Sequence, residues 1–330
     1  MKEVKLNIPW FESGMPKRSE DGRHFYAGQH VEGLRKYWRE YIVEDLNVWV
    51  EGVGYEIERG LVVDCYSDEH KIAFDFNILG DQAWPMKPTS YHKMKYERCK
   101  ELGIRLITFW EDQLMLTPSI CKSMIADRLG VSKNKIGARK CEICPVKLKE
   151  RRKFFDENHI QGNSPCSVAY GLYYNGELVS CMTFGKRKGL TNLKGDAEWE
   201  LIRFANKRQT VVQGSASKLF KHFVKEHDPK KVISFSSRDI SDGNMYSLLG
   251  FEKASKVTSS YWYIDLMNLD RYHRAAFTRN NVAKKFGLDK NDKSWTEREV
   301  MILSQYIRID DCGQLKWTWK KNGSRSTRIR

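Results

Sequence analysis

A chain of 330 residues is long enough for two domains, each with its own core, and a composition 41% hydrophobic and 12% aromatic excludes general disorder. Its formal net charge of +15 favours a polyanionic partner, nucleic acid before membrane, because released counterions supply sequence-independent affinity for phosphate backbones. Eight irregularly spaced cysteines are no disulfide framework, no apolar signal-peptide core opens the chain, and no run of about eighteen apolar residues occurs, so a cytoplasmic, reducing compartment is expected.

Residues 1–30 mix Gly, Pro, Ser and charge and read as an irregular arm. From Val31 to Leu46, the residues Leu34, Tyr37, Trp38, Tyr41, Ile42 and Leu46 recur at helical spacing and predict an amphipathic helix, with Glu40 and Glu44 one turn apart on one face. Gly60 to Asp112 predicts strand, turn, strand, helix, strand. Two short apolar runs flank Ser67-Asp68-Glu69-His70, a helix runs from Tyr91 to Leu102 with Gly103 as its stop, and a strand runs from Ile104 to Trp110. One carboxylate sits in each of the first two strands, Asp64 and Asp75, and His92 and Lys95 share a helix face. Two acids on neighbouring strands can hold a divalent metal, with a nearby Lys or His to position or deprotonate a water. The other reading makes all four exposed polar residues of a strand pair and a solvated helix face.

Those residues carry a resemblance to the PD-(D/E)XK nuclease fold, in the branch of very-short-patch-repair endonucleases and free-standing phage homing endonucleases. Asp64 matches the first-strand Asp, Asp75-Phe76-Asn77 an acid-Phe-Asn motif, Tyr91-His92-Lys93-Met94-Lys95 the helix start, and Trp110-Glu111-Asp112 the strand end. The resemblance implies a Mg2+- or Mn2+-dependent endonuclease acting on double-stranded DNA. In it Asp64 and Asp75 ligate the metal, Lys95 stabilises the phosphate or the water, His92 relays a proton, and Glu44 or Glu40 supplies a further acid. Val62 stands where an acid is frequent and Gln82 near an expected aromatic-His, which leaves open a DNA-binding protein with an inactivated site.

Thr117 to Leu129 predicts another helix, closed by Gly130. After it, Lys133, Lys135, Arg139, Lys140, Arg151 and Arg152 stand among further cations in a basic stretch, either a solvated surface or a set of phosphate contacts that read no bases. Cys141 and Cys144 form a lone CxxC, half of a zinc site at most. Asn175-Gly176 between apolar runs signals a hairpin. Glu198 to Phe204 and Val232 to Ser236 read as strands, and Val211 to Lys218 as a Gly-containing turn into a helix, whose exposed N–H groups suit a phosphate. Asn244 to Phe251 is a short helix ending in Gly-Phe. This succession resembles the GNAT acyltransferase fold over about Val168 to Ile264, carried by Gly214-x-Ala216 and by Asn244-x-Tyr246 with Gly250-Phe251. The resemblance implies an acetyl-CoA site at Gly214, Ser215, Ala216, Asn244 and Tyr246, although Val211 replaces the usual Gln or Arg of the phosphate loop. Beyond it lie a basic amphipathic stretch (271–288), a helix near 293–305, a hairpin over 306–317 and a cationic tail.

The expected architecture is α/β (α+β). It has an arm (1–30), a nuclease-type mixed sheet (31–130), a basic linker (131–153), a GNAT-like mixed-sheet domain (154–268) and a basic extension (269–330). The leading functional expectation is a phage DNA endonuclease in the host cytoplasm. The alternative is a GNAT-like acyltransferase or DNA-modifying transferase acting through the second domain.

Overall fold

The computed structural model describes residues 17–18, 24–25, 30–52, 54–79, 89–186, 199–258 and 260–321. The chain divides into two units, each woven from three segments. The first comprises Met1–Lys122, Arg238–Ile240 and Thr258–Gly313, the second Ser123–Ser237, Ser241–Val257 and Gln314–Arg330. Gln82 and the last nine residues of the expected tail lie outside the described residues. Among the described residues no helix is long and apolar enough to cross a membrane.

In the first unit, β1 (Lys17–Arg18) pairs with β2 (His24–Phe25), the only elements described within the expected arm. Helix α1 (His30–Glu40) continues into a wide turn at Tyr41–Asp45 and buries Leu34, Tyr37, Trp38, Tyr41 and Ile42, the stripe that its spacing predicts. Strands β3 (Tyr55–Glu58) and β4 (Leu61–Val63) form a hairpin; β5 (Cys65–Ser67) then pairs antiparallel with β6 (Ile72–Asn77). A crossover through α2 (Tyr91–Glu101) returns as β7 (Arg105–Trp110), parallel to β6 over all six of its residues. Every residue of β6 is buried, the pattern of a strand covered on both faces. Short helices α3 (Glu111–Leu116) and α4 (Pro118–Arg128) follow.

The second unit is built on a seven-stranded sheet. The stretch read as a linker instead supplies β8 (Asn134–Gly137), a 3-10 turn (Ala138–Lys140) and β9 (Glu142–Pro145), followed by α5 (Leu148–Asn158). Strand β9 pairs with β10 (Val168–Tyr174), so its residues are sheet edge rather than tether. Strand β10 turns through Asn175 and Gly176, both at positive φ, into β11 (Glu177–Lys186). Next come β12 (Trp199–Asn206), β13 (Thr210–Gln213), α6 (Ser215–His227), β14 (Lys231–Ser237), α7 (Asn244–Leu248) and β15 (Glu252–Thr258). The sheet order is β15-β19-β14-β12-β11-β10-β9, with β19 at Gln314–Lys320; β13 and β8 form a separate parallel pair. Helix α6 covers one face over Leu172, Met182, Phe184 and Leu201; α5 covers the other through Phe154 and Phe155 against Cys181 and Ala205. Successive residues Cys181 and Met182 therefore face opposite helices, as the strand period requires.

Returning to the first unit, β16 (Tyr261–Asp265) pairs with β17 (Arg271–His273) and with β18 (Tyr306–Asp310). Helix α8 (Arg279–Phe286) and helix α9 (Glu297–Leu303) lie between them in sequence, and Thr296 and Glu299 form the capping box of α9. Strands β18 and β19 are not a hairpin. They join different sheets, because Cys312 and Gly313 are held by Asp239 and Asp311 and turn the chain out of the first sheet.

Candidate functional site

In the first unit the structure brings together Asp64, Asp75 and Lys95. Asp64 lies between β4 and β5, where the strand changes partner, and its Oδ2 accepts a 2.7 Å bond from the Phe76 amide. Arg35 Nε lies 3.0 Å from the other oxygen. Lys95 Nζ sits 2.7 Å from Asp75 Oδ1 and 2.6 Å from Oδ2, in a pair less than a tenth exposed at either side chain. Burial, with the Asp75 charge behind it, pushes the Asp64 carboxyl up to about 6 against the pull of Arg35. Burial works against the Lys95 charge, but Asp75 outweighs it and the net shift is upward. Two acids thus meet two cations, and the cluster is electrically closed.

The other expected members are elsewhere. Glu44 is exposed on the wide turn. His92 is buried, its ring edge-on to Trp110 at 4.8 Å, and its carbonyl accepts from Cys312. Val62 faces solvent while Leu61 and Val63 face the core, so an acid at that position would not address Asp64. Asp112, read as a strand end, begins α3 and is held by both nitrogens of a bidentate Arg271 fork at 2.8 and 2.7 Å. Among the described residues no three His, Cys, Asp or Glu side chains are grouped as a metal site.

The second unit holds a different arrangement. Strands β12 and β14 run parallel but pair only at Trp199–Val232 and Glu200–Ile233, although both continue for several residues. The cause is local. Against β11 the register slips between Thr183 and Phe184, whose partners are Arg203 and Leu201, so Ile202 is a bulge residue that bends β12 away from β14. Ser234 Oγ closes the apex of the split, 2.8 Å from the Leu201 carbonyl and 3.0 Å from Tyr246 Oη. Tyr246 Oη donates to the Phe235 carbonyl at 3.3 Å, and burial raises its phenol above the ordinary value. Trp317 stacks on Tyr246 at 5.3 Å and bonds Ser236 through Nε1 at 2.9 Å. Beyond the apex the facing edges of β12 and β14 carry backbone groups with no strand partner, and Phe235 is 41% exposed.

Gly214 precedes α6 with φ +79°, a conformation glycine adopts freely, and no side chain caps the helix. The first-turn amides of a thirteen-residue helix are therefore available to an anion. Of the residues expected there, Ser215 is buried and donates to Asn206 Oδ1 at 3.1 Å, and Ala216 packs against the core. Their backbone, not their side chains, is what the turn offers. Val211 lies in β13 opposite Lys135, so no long polar side chain joins the amides from that position. Asn244 is exposed and its Nδ2 donates to Asp242 at 2.9 Å, whereas Tyr246 stands at the split. Ile202, Ser234, Gly243 and Trp317 were not singled out in the sequence, and none carries a local signal beyond the glycine.

Among the expected phosphate contacts, Lys133, Lys135, Arg139, Lys140 and Arg152 are exposed. Arg151 is not: it is buried, with Nε 3.1 Å from Asn163 Oδ1 and NH1 against Cys166. A cavity of about 400 Å³ at the sheet edge is lined by Lys140, Glu142, Cys144, Tyr173, Asn175 and Gly176.

No protein-family model and no curated protein matches the chain. Solved structures do. A GNAT family acetyltransferase from Elizabethkingia anophelis with acetyl-CoA bound is 14% identical, covering 55% of this chain and 99% of its own, at a TM-score of 0.30. A Bacillus subtilis acetyltransferase in complex with CoA is 12% identical, covering 56% and 100%, at 0.32. An IAA acetyltransferase from Bacillus cereus is 13% identical, covering 55% and 99%, at 0.30. At these scores no residue role follows from the likeness. These structures are acetyltransferases where the sequence led to a DNA endonuclease, and the endonuclease expectation is corrected accordingly. The closed Asp64–Arg35 and Asp75–Lys95 pairs, the exposed Glu44 and the packed His92 agree with that correction.

Proposed function

We infer that the second unit is an acyltransferase that takes an acyl group from a CoA-type thioester and passes it to an amine or hydroxyl acceptor. The observation that supports this reading is the parted parallel pair β12 and β14, with Tyr246 at its apex. Open parallel strands offer their carboxyl ends to ligands. The residues present fit such a carrier through backbone: the α6 first-turn amides and Gly214 for its pyrophosphate, and the edges beyond Glu200 and Ile233, where β12 and β14 no longer pair with each other, for its extended arm. When bound, the carrier supplies an activated acyl group and a thiol leaving group. Tyr246 Oη, kept protonated by burial and held by Ser234 and Phe235, is the group placed to hand over a proton there.

Calorimetric titration of the full chain with acetyl-CoA tests the reading. The parent binds, and Gly214→Asp, which adds a carboxylate at the amide cluster, does not. In Tyr246→Phe binding persists and transfer to a panel of amines falls by about 100-fold or more, the usual scale of a lost proton donor. Absence of heat from the parent at millimolar acetyl-CoA sinks the reading.

A further inference from the structure

We propose that the β8 strand and the 3-10 turn after it form a ridge that binds the phosphate backbone of duplex nucleic acid through Lys133, Lys135, Arg139 and Lys140. This does not rest on the acyltransferase reading. The four side chains are exposed, and none is ion-paired to a carboxylate among the described residues. They are carried on fixed backbone. Strand β8 pairs in parallel with β13 from Asn134–Thr210 to Gly137–Gln213, and the Asn134 amide donates to the Gln209 carbonyl at 3.0 Å. The turn is clamped from below, where Lys218 Nζ donates to the carbonyls of Ala138 at 2.9 Å and Cys141 at 2.5 Å.

Lys218, itself half-buried, gives its ammonium to two carbonyls of the turn, and the same turn lifts Arg139 and Lys140 into solvent with no carboxylate paired to them among the described residues. Lys135 lies in β8 and Lys133 stands at the bend one residue before the strand, both exposed. The ridge has no apolar anchor of the kind a lipid surface requires: Ile136 is half-buried against the core and Ala138 is buried. A rod of closely spaced phosphates fits such a row of cations.

The measurement is the salt dependence of binding of the full chain to a short fluorescent DNA duplex, by anisotropy. It compares the parent, a ridge variant (Lys133→Gln, Lys135→Gln, Arg139→Gln, Lys140→Gln) and a control (Lys149→Gln, Arg152→Gln, Lys153→Gln) on α5, which covers the other face of the sheet. Four backbone contacts contribute a slope of about 3.6 in log affinity against log salt, so from ~50 to ~200 mM the parent loses about 150-fold more affinity than the ridge variant. The control keeps the parental slope. A ridge variant with the parental slope overturns the proposal. So does a ridge variant that keeps its duplex affinity while losing acetyl-CoA, which would assign the cations to the carrier, or one whose only loss is binding to anionic vesicles.

Discussion

Gly243→Ala is the substitution whose cost the geometry specifies most closely. Gly243 precedes α7 at φ +83°, and a methyl built there would stand 2.1 Å from Trp317 Cζ2 and 2.8 Å from Cε2. A side chain in the left-handed region costs ~1–2 kcal/mol. Trp317 is 2% exposed, stacked on Tyr246 and bonded to Ser236, so it has no free volume to retreat into, and the overlap adds ~1–3 kcal/mol as overpacking. Gly214→Ala is the matched control. Its φ is +79°, but the added carbon would meet only the Ala138 methyl, at 3.9 Å, so it pays the backbone part alone. Native-state hydrogen exchange at the β14 and β19 amides reports on this sheet without requiring the whole chain to unfold together. The sum of ~2–5 kcal/mol predicts exchange about 30-fold to 5,000-fold faster in Gly243→Ala, against about 5-fold to 30-fold in Gly214→Ala. Equal acceleration in the two variants would show that Trp317 is not fixed against Gly243, and the account of how Tyr246 is held would fall with it.

Lys95→Met leaves Asp75 buried without its cation and lowers stability by ~3–5 kcal/mol in urea unfolding, and adding Asp75→Asn recovers part of the loss; a double variant no better than the single one refutes the pairing. Asp311 gives a pH dependence. Burial, reinforced by Asp239, raises its carboxyl from 3.8 to about 7, while Ser260, Gly313 and Trp262 donate to it. The folded chain therefore binds this proton more tightly than the unfolded chain, so the contribution is full below pH 3.8 and is lost as pH rises towards 7, at ~1.36 kcal/mol per unit. Urea midpoints at several pH values should decline less steeply across that window in Asp311→Asn, and parallel declines in variant and parent would contradict the assignment. Phe155→Ala, at a fully buried position between α5 and the sheet, costs ~3–5 kcal/mol by thermal unfolding, and a loss under 1 kcal/mol would mean that α5 does not seal that face.

Local chemistry made much of this molecule legible. Asn175-Gly176 forces a tight reversal wherever it stands, and the Leu34–Ile42 stripe and the Thr296–Glu299 box specify their helices within a few residues. Asp64, Asp75 and Lys95 do converge, as strand-turn-strand-helix-strand requires. Their neighbours were the hidden part. That Arg35 and Lys95 neutralise the acids, and that Trp110 takes up His92, depends on side chains met only after folding. The basic stretch looked like a linker because exposed β8 and edge strand β9 bury too little to show a strand period. The split between β12 and β14 has no sequence signature, because a bulge at Ile202 is a mismatch between strands and not a property of either one.

The position of β19 carries a kinetic consequence. Residues 314–320 insert between β14 and β15, one strand in from the edge of the sheet, while β14 ends at Ser237. As the chain emerges during synthesis, β14 must therefore wait for about eighty residues and β15 for about fifty-five, with a first-unit segment in between, before their shared neighbour arrives. In that interval β14 and β15 present raw hydrogen-bonding edges on the sides that β19 later fills. The late strand makes this sheet slow to complete and exposed to mispairing with other copies.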